Sequence, residues 1–266
     1  MKRNRITILF LIIVSFLLLF PIYVLFMSSF KPSDELFVAT LWPIHATFEN
    51  IKTALTTKFL NSIRTSMIVS ITVTAVAMLL HSMCGYALAR LQFPFKEGFF
   101  QIIVGTLMIP SMTILVPLFM VCKILGITNS YAGLIIPALF NAYGIFLFRQ
   151  FYMDFPKELE EAAEVEGCSK SRIFFTIALP LSKPMIIPLT IAFFLGNWNN
   201  YLWPLVVNKK EALYTAQVYL ANLVSGYSTP WHVVIASAML ASLPVFILFL
   251  FAQRQLREGI KTTGIK

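Results

Sequence analysis

The chain alternates long apolar runs with shorter polar stretches, and six of the runs are long enough to cross a membrane. They cover residues 6–30, 62–89, 98–122, 131–151, 184–207 and 231–251. A bilayer core of about 30 Å needs about 20 apolar residues in a helix that rises about 1.5 Å per residue. The pattern therefore predicts an all-α polytopic membrane protein with six transmembrane helices, forming one domain over residues 1–266.

A polar, helix-forming stretch separates the fourth run from the fifth. Asp154 can cap a first short helix over residues 157–166, which contains almost only good helix formers. Gly167 suits a helix end that needs a positive φ. A second short helix is predicted over residues 170–178, and Pro180 is expected to end it. The stretch is thus predicted to form two short helices joined at a glycine.

The composition supports a membrane location. The chain is 58% hydrophobic and 12% charged, with a mean hydropathy of +0.78, whereas soluble domains carry about 25% charged residues. A chain of 266 residues cannot bury that much apolar surface in a core of its own, so the excess must face lipid. The first run is about twice as long as the apolar part of a secretory signal, and we interpret it as an uncleaved anchor.

The basic residues predict the orientation. With the N-terminus in the cytoplasm, fourteen of the 21 lysines and arginines fall on the cytoplasmic side and seven outside, as the positive-inside rule requires. Six spans return the C-terminus to the cytoplasm. The net charge of +9 therefore reflects membrane topology, and nucleic-acid binding is disfavoured because the basic residues are scattered over several loops.

Residues for covalent chemistry or ion coupling are missing from the pattern. No Gly-x4-Gly-Lys sequence is present to cradle ATP phosphates, and no Asp or Glu lies inside a predicted span. The three cysteines (Cys84, Cys122 and Cys168) make no even disulfide framework, and the three histidines lack metal-ligand spacing. The pattern disfavours a secondary carrier and a membrane-embedded enzyme, and we expect no cofactor or metal in this chain.

One motif in the polar stretch is specific. It consists of Glu161-Ala162-Ala163, Gly167 four positions on, and then Ile177, Leu179 and Pro180. Taken alone, such a stretch would be an ordinary pair of interfacial helices. Its full spacing, however, resembles the cytoplasmic coupling loop of ABC importer permeases, here residues 152–183. Asn197-Trp198-Asn199 in the fifth span and the tail 253–264 resemble the smaller permease of the maltose-type, carbohydrate-uptake branch.

The resemblance implies a set of partners and a mechanism. It implies a second related permease, two ATPase subunits that bind ATP and Mg²⁺, and an extracytoplasmic solute-binding protein. The expected location is a bacterial or archaeal cytoplasmic membrane. The expected function is alternating-access import of an oligosaccharide or related polyhydroxylated solute. Another solute of the same branch, such as a glycerol phosphodiester, remains an alternative.

The fifth span contains candidate solute-contacting residues. Asn197 lies roughly 20 Å from the cytoplasmic end of its helix, past the midplane, where an amide is costly in lipid. Asn197 and Asn200 could bracket solute hydroxyls, and Trp198 and Tyr201 could stack on a sugar ring. Alternatively the asparagines hold helices together, and Tyr201 belongs to an aromatic belt at the membrane surface. Loops 31–61 and 208–230 are the expected docking surface for the binding protein.

Overall fold

The computed structural model describes residues 5–224 and 229–263, with side chains described as far as Gln253. Within these ranges the protein is helical and contains no strand. Three helices are each long and apolar enough to cross a membrane, and three further pairs of helices qualify when each bent pair counts as one span. The predicted all-α class with up to six spans is therefore confirmed.

The three continuous spans are α1 (Arg5–Ser29), α3 (Thr57–Arg90) and α14 (Trp231–Thr263), and a short helix α2 (Glu49–Ala54) precedes α3. α3 is the central helix of the domain. It packs along two later helices, α7 (Ala142–Met153) and α11 (Lys183–Trp198). The approach of α7 is so close at Gly85 that an added Cβ would lie 2.5 Å from the Cβ of Phe148.

The third span is broken rather than straight. α4 (Lys96–Gly105) continues into a 3-10 turn, Thr106–Met108, and α5 (Ser111–Ile124) follows after a bend of 107°. Pro110 occupies the residue before α5 with φ −59° and ψ 131°, an extended conformation that ends the preceding helical path. Its missing N–H removes the hydrogen bond that would have joined the two parts.

The fourth span bends by 40° between α6 (Tyr131–Ile135) with its 3-10 turn Ile136–Leu139 and α7. Two polar side chains supply partners for the backbone at this break. Asn141 accepts the N–H of Gly144 at 3.1 Å, and His81 Nε2 lies 2.9 Å from the carbonyl of Leu139 and 3.2 Å from the N–H of Asn141. His81 Nε2 therefore donates to the carbonyl of Leu139 when it carries the proton, and accepts the N–H of Asn141 when Nδ1 carries the proton instead.

The polar stretch and the fifth span form one helical path with interruptions. Its elements are α8 (Lys157–Val165), α9 (Lys170–Ile173), a π-helical turn (Phe174–Ala178), α10 (Leu179–Leu181), α11 and α12 (Leu202–Val207). The path bends by 76° between α10 and α11. A 3-10 turn (Glu211–Leu213) and α13 (Ala216–Val224) then lead toward α14. We call residues 157–181 the α8–α10 segment, and the membrane side that carries it the α8 face.

Two details of the sequence interpretation were wrong. Asp154 ends α7 rather than capping α8, since Pro156 stands at the N-cap position of α8 and no side chain caps that helix. Pro180 does not end the second helix, which continues to Leu181. The π-helical turn just before Pro180 widens the helix there, which accommodates a ring that would otherwise clash with the carbonyl four residues back.

Candidate functional site

The α8–α10 segment presents the first half of the motif to the outside. Glu161, Ala162 and Gly167 are exposed, and Ala163 is half-buried. Gly167 has φ +78°, as predicted, and nothing lies within 4 Å of the position of an added Cβ. The N–H groups of Gly167 and Cys168 bond to the carbonyls of Glu164 and Ala163, both at 2.9 Å. The glycine therefore closes α8 with a tight turn whose outer side is open.

The second half of the motif lies against the membrane helices. Ile177 and Leu179 are half-buried, and Leu179 packs on the core cluster that joins α3, α7 and α11. Pro180 is exposed and borders a groove of about 750 Å³ beside Lys183. The motif thus divides into an exposed part around α8 and a packed part that leads into α11.

A buried ion pair, which the sequence interpretation missed, fastens α8 to α3. Arg90 Nε lies 3.1 Å from Glu160 Oε1, and the two side chains are 6% and 10% exposed. The same guanidinium donates to the carbonyl of Phe155, and it lies 5.9 Å from the centre of the Phe155 ring. Arg90, the last residue of α3, therefore contacts both Phe155, just before α8, and Glu160 within α8.

A hydrogen-bonded chain of hydroxyls holds the other end of the α8–α10 segment. Tyr152 OH lies 2.7 Å from Ser82 Oγ and donates to Ser182 Oγ at 3.2 Å, and Ser182 in turn donates to the carbonyl of Leu179 at 2.8 Å. All three side chains are buried. The bend between α10 and α11 is therefore fixed to α3 and α7 by polar contacts and not only by apolar packing.

The sequence drew attention to the positions of Arg90 and Glu160 but did not identify the two residues as a pair. Arg90 stood at a span boundary, and Glu160 adjoins Glu161, which carries the motif. Successive residues of a helix point about 100° apart, so only one of two neighbouring glutamates can turn toward the protein. A second ion pair, Lys170 and Glu164, links α9 to α8 at the surface, with side chains 54% and 41% exposed.

The candidate solute residues of the fifth span occupy different environments. Asn197 donates through its amide to the carbonyl of Phe193 at 2.8 Å, within its own helix. Trp198 is buried and stacks on Phe194, with ring centres 5.8 Å apart. Tyr201 is exposed in the break between α11 and α12. The structure does not bring the four residues together around one space.

One of the four lines a groove. Asn200 borders a space of about 600 Å³ together with Ser111, Leu115 and Leu118 of α5 and with Trp203 of α12. Trp203 is held in place because its indole N–H donates to the carbonyl of Gly133 at 2.9 Å. The groove therefore lies where the break of the third span meets the break of the fifth.

The membrane side opposite the α8 face carries a polar cavity of about 860 Å³. Lys58 and Glu211 form an ion pair of 2.7 Å at its edge, and Tyr214 and Tyr219 line it. Tyr219 OH lies 3.3 Å from Thr56 Oγ1. Residues 225–228 of the predicted docking loop 208–230 lie outside the described residues, as do residues 264–266 and the side chains beyond Gln253 of the predicted tail motif.

The possible metal ligands form no cluster, and the cysteines stand apart from one another, in the part of the chain that the structure describes. In residues 5–224 and 229–253 no group of three or more His, Cys, Asp or Glu side chains is placed to hold a metal ion. Cys84 and Cys168 are half-buried, Cys122 is buried, and none of the three is paired with another.

Together, up to six spans among the described residues, with α3 at their centre, and a helical projection on one face define a class: a multi-pass membrane protein. Residues 81–262 match the model of the family described as binding-protein-dependent transport system inner membrane component. The chain belongs to this family, whose members are permease subunits of ABC transporters.

Individual relatives agree with the family match. The chain is similar to the arabinooligosaccharides transport system permease protein AraQ of Halalkalibacterium halodurans, with 35% identity over 95% of this chain and 93% of the relative. It is also similar to the sn-glycerol-3-phosphate transport system permease protein UgpE of Yersinia pestis, with 33% identity over 94% and 93%.

A solved structure supports the fold. The chain resembles a chain of a bacterial ABC transporter involved in the import of the acidic polysaccharide alginate, with a TM-score of 0.86 and 22% identity, covering 96% of this chain and 98% of that one. At this identity the similarity bears on the fold alone.

Proposed function

We propose that this permease subunit imports an oligosaccharide or a related polyhydroxylated solute and is driven by ATPase subunits that dock on the α8 face. The observation that carries the proposal is the exposed motif around Glu161 and Gly167, mounted on α3 through the buried pair of Arg90 and Glu160. ATP and Mg²⁺ belong to the ATPase subunits. In this proposal the chain contributes the membrane path, and ATP hydrolysis takes place in the ATPase subunits.

The exposed part of the motif is acidic and small, since it consists of Glu161, Ala162 and Gly167. Glu161 is free to meet an arginine of the ATPase, since a carboxylate and a guanidinium pair through two parallel hydrogen bonds. Ala162 and Gly167 leave room for a partner surface to approach the backbone of α8 closely. Arg90 and the hydroxyl chain at Ser182 keep the segment in place while it is pushed or pulled.

Two replacements test the docking surface. Glu161→Lys reverses the charge, and Gly167→Glu adds bulk at a positive φ; we expect both to abolish solute uptake and solute-stimulated ATP hydrolysis while the protein still inserts in the membrane. Glu166→Lys is the matched control for charge, and Gly167→Asn is the control for backbone, because Asn tolerates this conformation better than other residues. Normal uptake by both test variants would refute the proposal.

The solute path is proposed to pass the groove at the two broken spans. Asn200 and Ser111 are polar groups in an otherwise apolar lining, which is how a pocket orients a hydroxylated ligand. Asn197 and Tyr201 lie close to Asn200 in the chain, and Trp198 is buried against Phe194. We expect Asn200→Leu to raise the solute concentration needed for half-maximal uptake. An unchanged value would exclude Asn200 from the path.

The solute has a second candidate class. The relatives of similar identity include one named for arabinooligosaccharides and one named for sn-glycerol-3-phosphate, so a phosphorylated polyol is the alternative cargo. Competition of uptake by unlabelled arabinooligosaccharides and by glycerol-3-phosphate separates the two classes directly.

The proposed assembly contains this chain, a second related permease, two ATPase subunits and an extracytoplasmic binding protein, in a bacterial or archaeal cytoplasmic membrane with both termini in the cytoplasm. The binding protein is proposed to dock at the polar cavity edged by Lys58 and Glu211. Purification in mild detergent followed by mass spectrometry tests the composition. Recovery of the chain without an ATPase would contradict it.

A further inference from the structure

The segment between α1 and α2, residues 31–48, buries two charged side chains and exposes most of its large apolar side chains. Lys31 and Glu35 are buried, at 3% and 8% exposure. Its exposed large apolar side chains, from 47% to 79% exposed, are Phe37, Val38, Leu41, Trp42, Ile44 and Phe48. This arrangement inverts that of a loop in water, and we call the exposed set the outer apolar patch.

The buried charges satisfy the backbone of the segment. Lys31 Nζ donates to the carbonyls of Val38 at 3.1 Å and Thr40 at 2.7 Å, and Glu35 accepts the N–H groups of Ile44 and His45 at 3.0 and 3.3 Å. An irregular segment can approach hydrocarbon only when its polar backbone groups find partners within the protein. These four bonds provide such partners without water.

The segment runs back along an exposed side of the first span. Leu41 forms one wall of a groove of about 670 Å³ whose other walls are Phe16, Leu19, Phe20 and Tyr23 of α1. Phe20 lies nine residues before the end of α1, roughly 13 Å along the helix axis. The tip of the segment therefore lies beside the membrane span rather than beyond its end.

We propose that the outer apolar patch is an interfacial anchor that enters the leaflet opposite the α8 face, and that a lipid acyl chain fills the groove between Leu41 and α1. Tyr23 and Trp42 have the amphipathic rings that concentrate at the membrane–water boundary. Residues 36–48 contain no Asp, Glu, Lys or Arg. A docking surface for a soluble protein carries a polar rim. In residues 36–48 the one titratable side chain is His45, whose ring nitrogen is bonded to the buried Glu35.

Site-directed fluorescence tests the proposal on the full chain. Cysteines 84, 122 and 168 are first replaced by alanine. A single cysteine then replaces Trp42, Phe37 or Ser33 and carries an environment-sensitive NBD probe. Ser33 is the matched control, because it is exposed in the same segment beside Asp34. The chain, purified with its associated subunits, is placed in vesicles of phosphatidylcholine and phosphatidylglycerol. Quenching is measured with 5-doxyl phosphatidylcholine and with iodide on both sides.

We expect the probes at positions 42 and 37 to emit at shorter wavelength than the probe at 33. Doxyl lipid should quench them several-fold more than it quenches the probe at 33, and iodide should show the reverse order. Equal iodide quenching at 42 and 33 would place the patch in water and overturn the proposal. Protection of position 42 from both quenchers would mean that a protein subunit covers the patch, and would overturn it equally.

Discussion

The buried pair of Arg90 and Glu160 gives the sharpest energetic prediction. Replacing Arg90 with Met removes one partner and leaves the Glu160 carboxylate about nine-tenths buried without its counter-charge. Breaking a buried pair in this way costs about 3–5 kcal/mol. The same replacement also frees the carbonyl of Phe155. Because Arg90 is what joins the end of α3 to α8, we expect the loss to appear as local opening of α8.

This loss of free energy corresponds to a measurable increase in the rate of hydrogen–deuterium exchange. A loss of about 3 kcal/mol raises the open population of α8 about a hundredfold, since about 1.4 kcal/mol corresponds to a factor of ten. Hydrogen–deuterium exchange of the peptide that covers residues 157–165, recorded on the protein in vesicles, reports this population. Solute-stimulated ATP hydrolysis should fall in parallel, because an unanchored α8 cannot pass force to the spans.

A surface pair in the same segment supplies the control. Lys170→Met breaks the bond to Glu164 at side chains about half exposed, where such pairs are worth about 0–1 kcal/mol. The double replacement Arg90→Met with Glu160→Met removes both buried charges and should recover part of the loss. If Arg90→Met exchanged no faster than Lys170→Met, or if the double variant were as labile as the single one, the anchoring role of the pair would be refuted.

Two further predictions concern packing and pH. Gly85→Ala should destabilise the contact of α3 with α7 by about 1–3 kcal/mol in thermal unfolding, since the new Cβ meets Phe148 at 2.5 Å, whereas Gly98→Ala should be neutral or stabilising because nothing lies within 4 Å. The hydrogen bond from His45, 2.5 Å away, lowers the pKa of Glu35 below 4.5. The ionised Glu35 therefore stabilises segment 31–48 fully above pH 4.5, and this stabilisation is lost as the pH falls through the lowered pKa of Glu35. His45→Gln should raise the pH midpoint at which an NBD probe at position 42 changes its emission, and an unchanged midpoint would contradict this.

The features that could be predicted from the sequence are those set by the conformational preference of one residue or by the thickness and apolar character of the bilayer. The apolar runs identify the spans because a bilayer demands about 20 apolar residues from any helix that crosses it. Gly167 was predictable because a positive φ is a property of the residue itself. The membrane class and the exposed position of Glu161 follow from composition and from the surrounding polar stretch.

Long-range pairing and helix breaks were not predictable in the same way. Pro117, Pro188 and Pro244 lie inside continuous helices, while Pro110 marks a bend of 107°, and the sequence around each is similarly apolar. Neighbouring helices decide which prolines break a helix, since they must supply the missing hydrogen bonds. Arg90 and Glu160 meet across 70 residues of chain, and no local pattern records that distance.

The bend of 76° between α10 and α11 joins two helical arms at a steep angle, one along the α8 face and one along the fifth span. If the α9–α10 arm and α11 move as one rigid body about Ser182, which is bonded to Tyr152 of α7, a rotation of the arm turns α11 through the same angle. α11 has 16 residues and is roughly 24 Å long, so a turn of about 5° displaces its far end by about 2 Å. That far end adjoins Asn200, so a rotation of the α9–α10 arm at the membrane surface would displace the side of the groove that Asn200 lines.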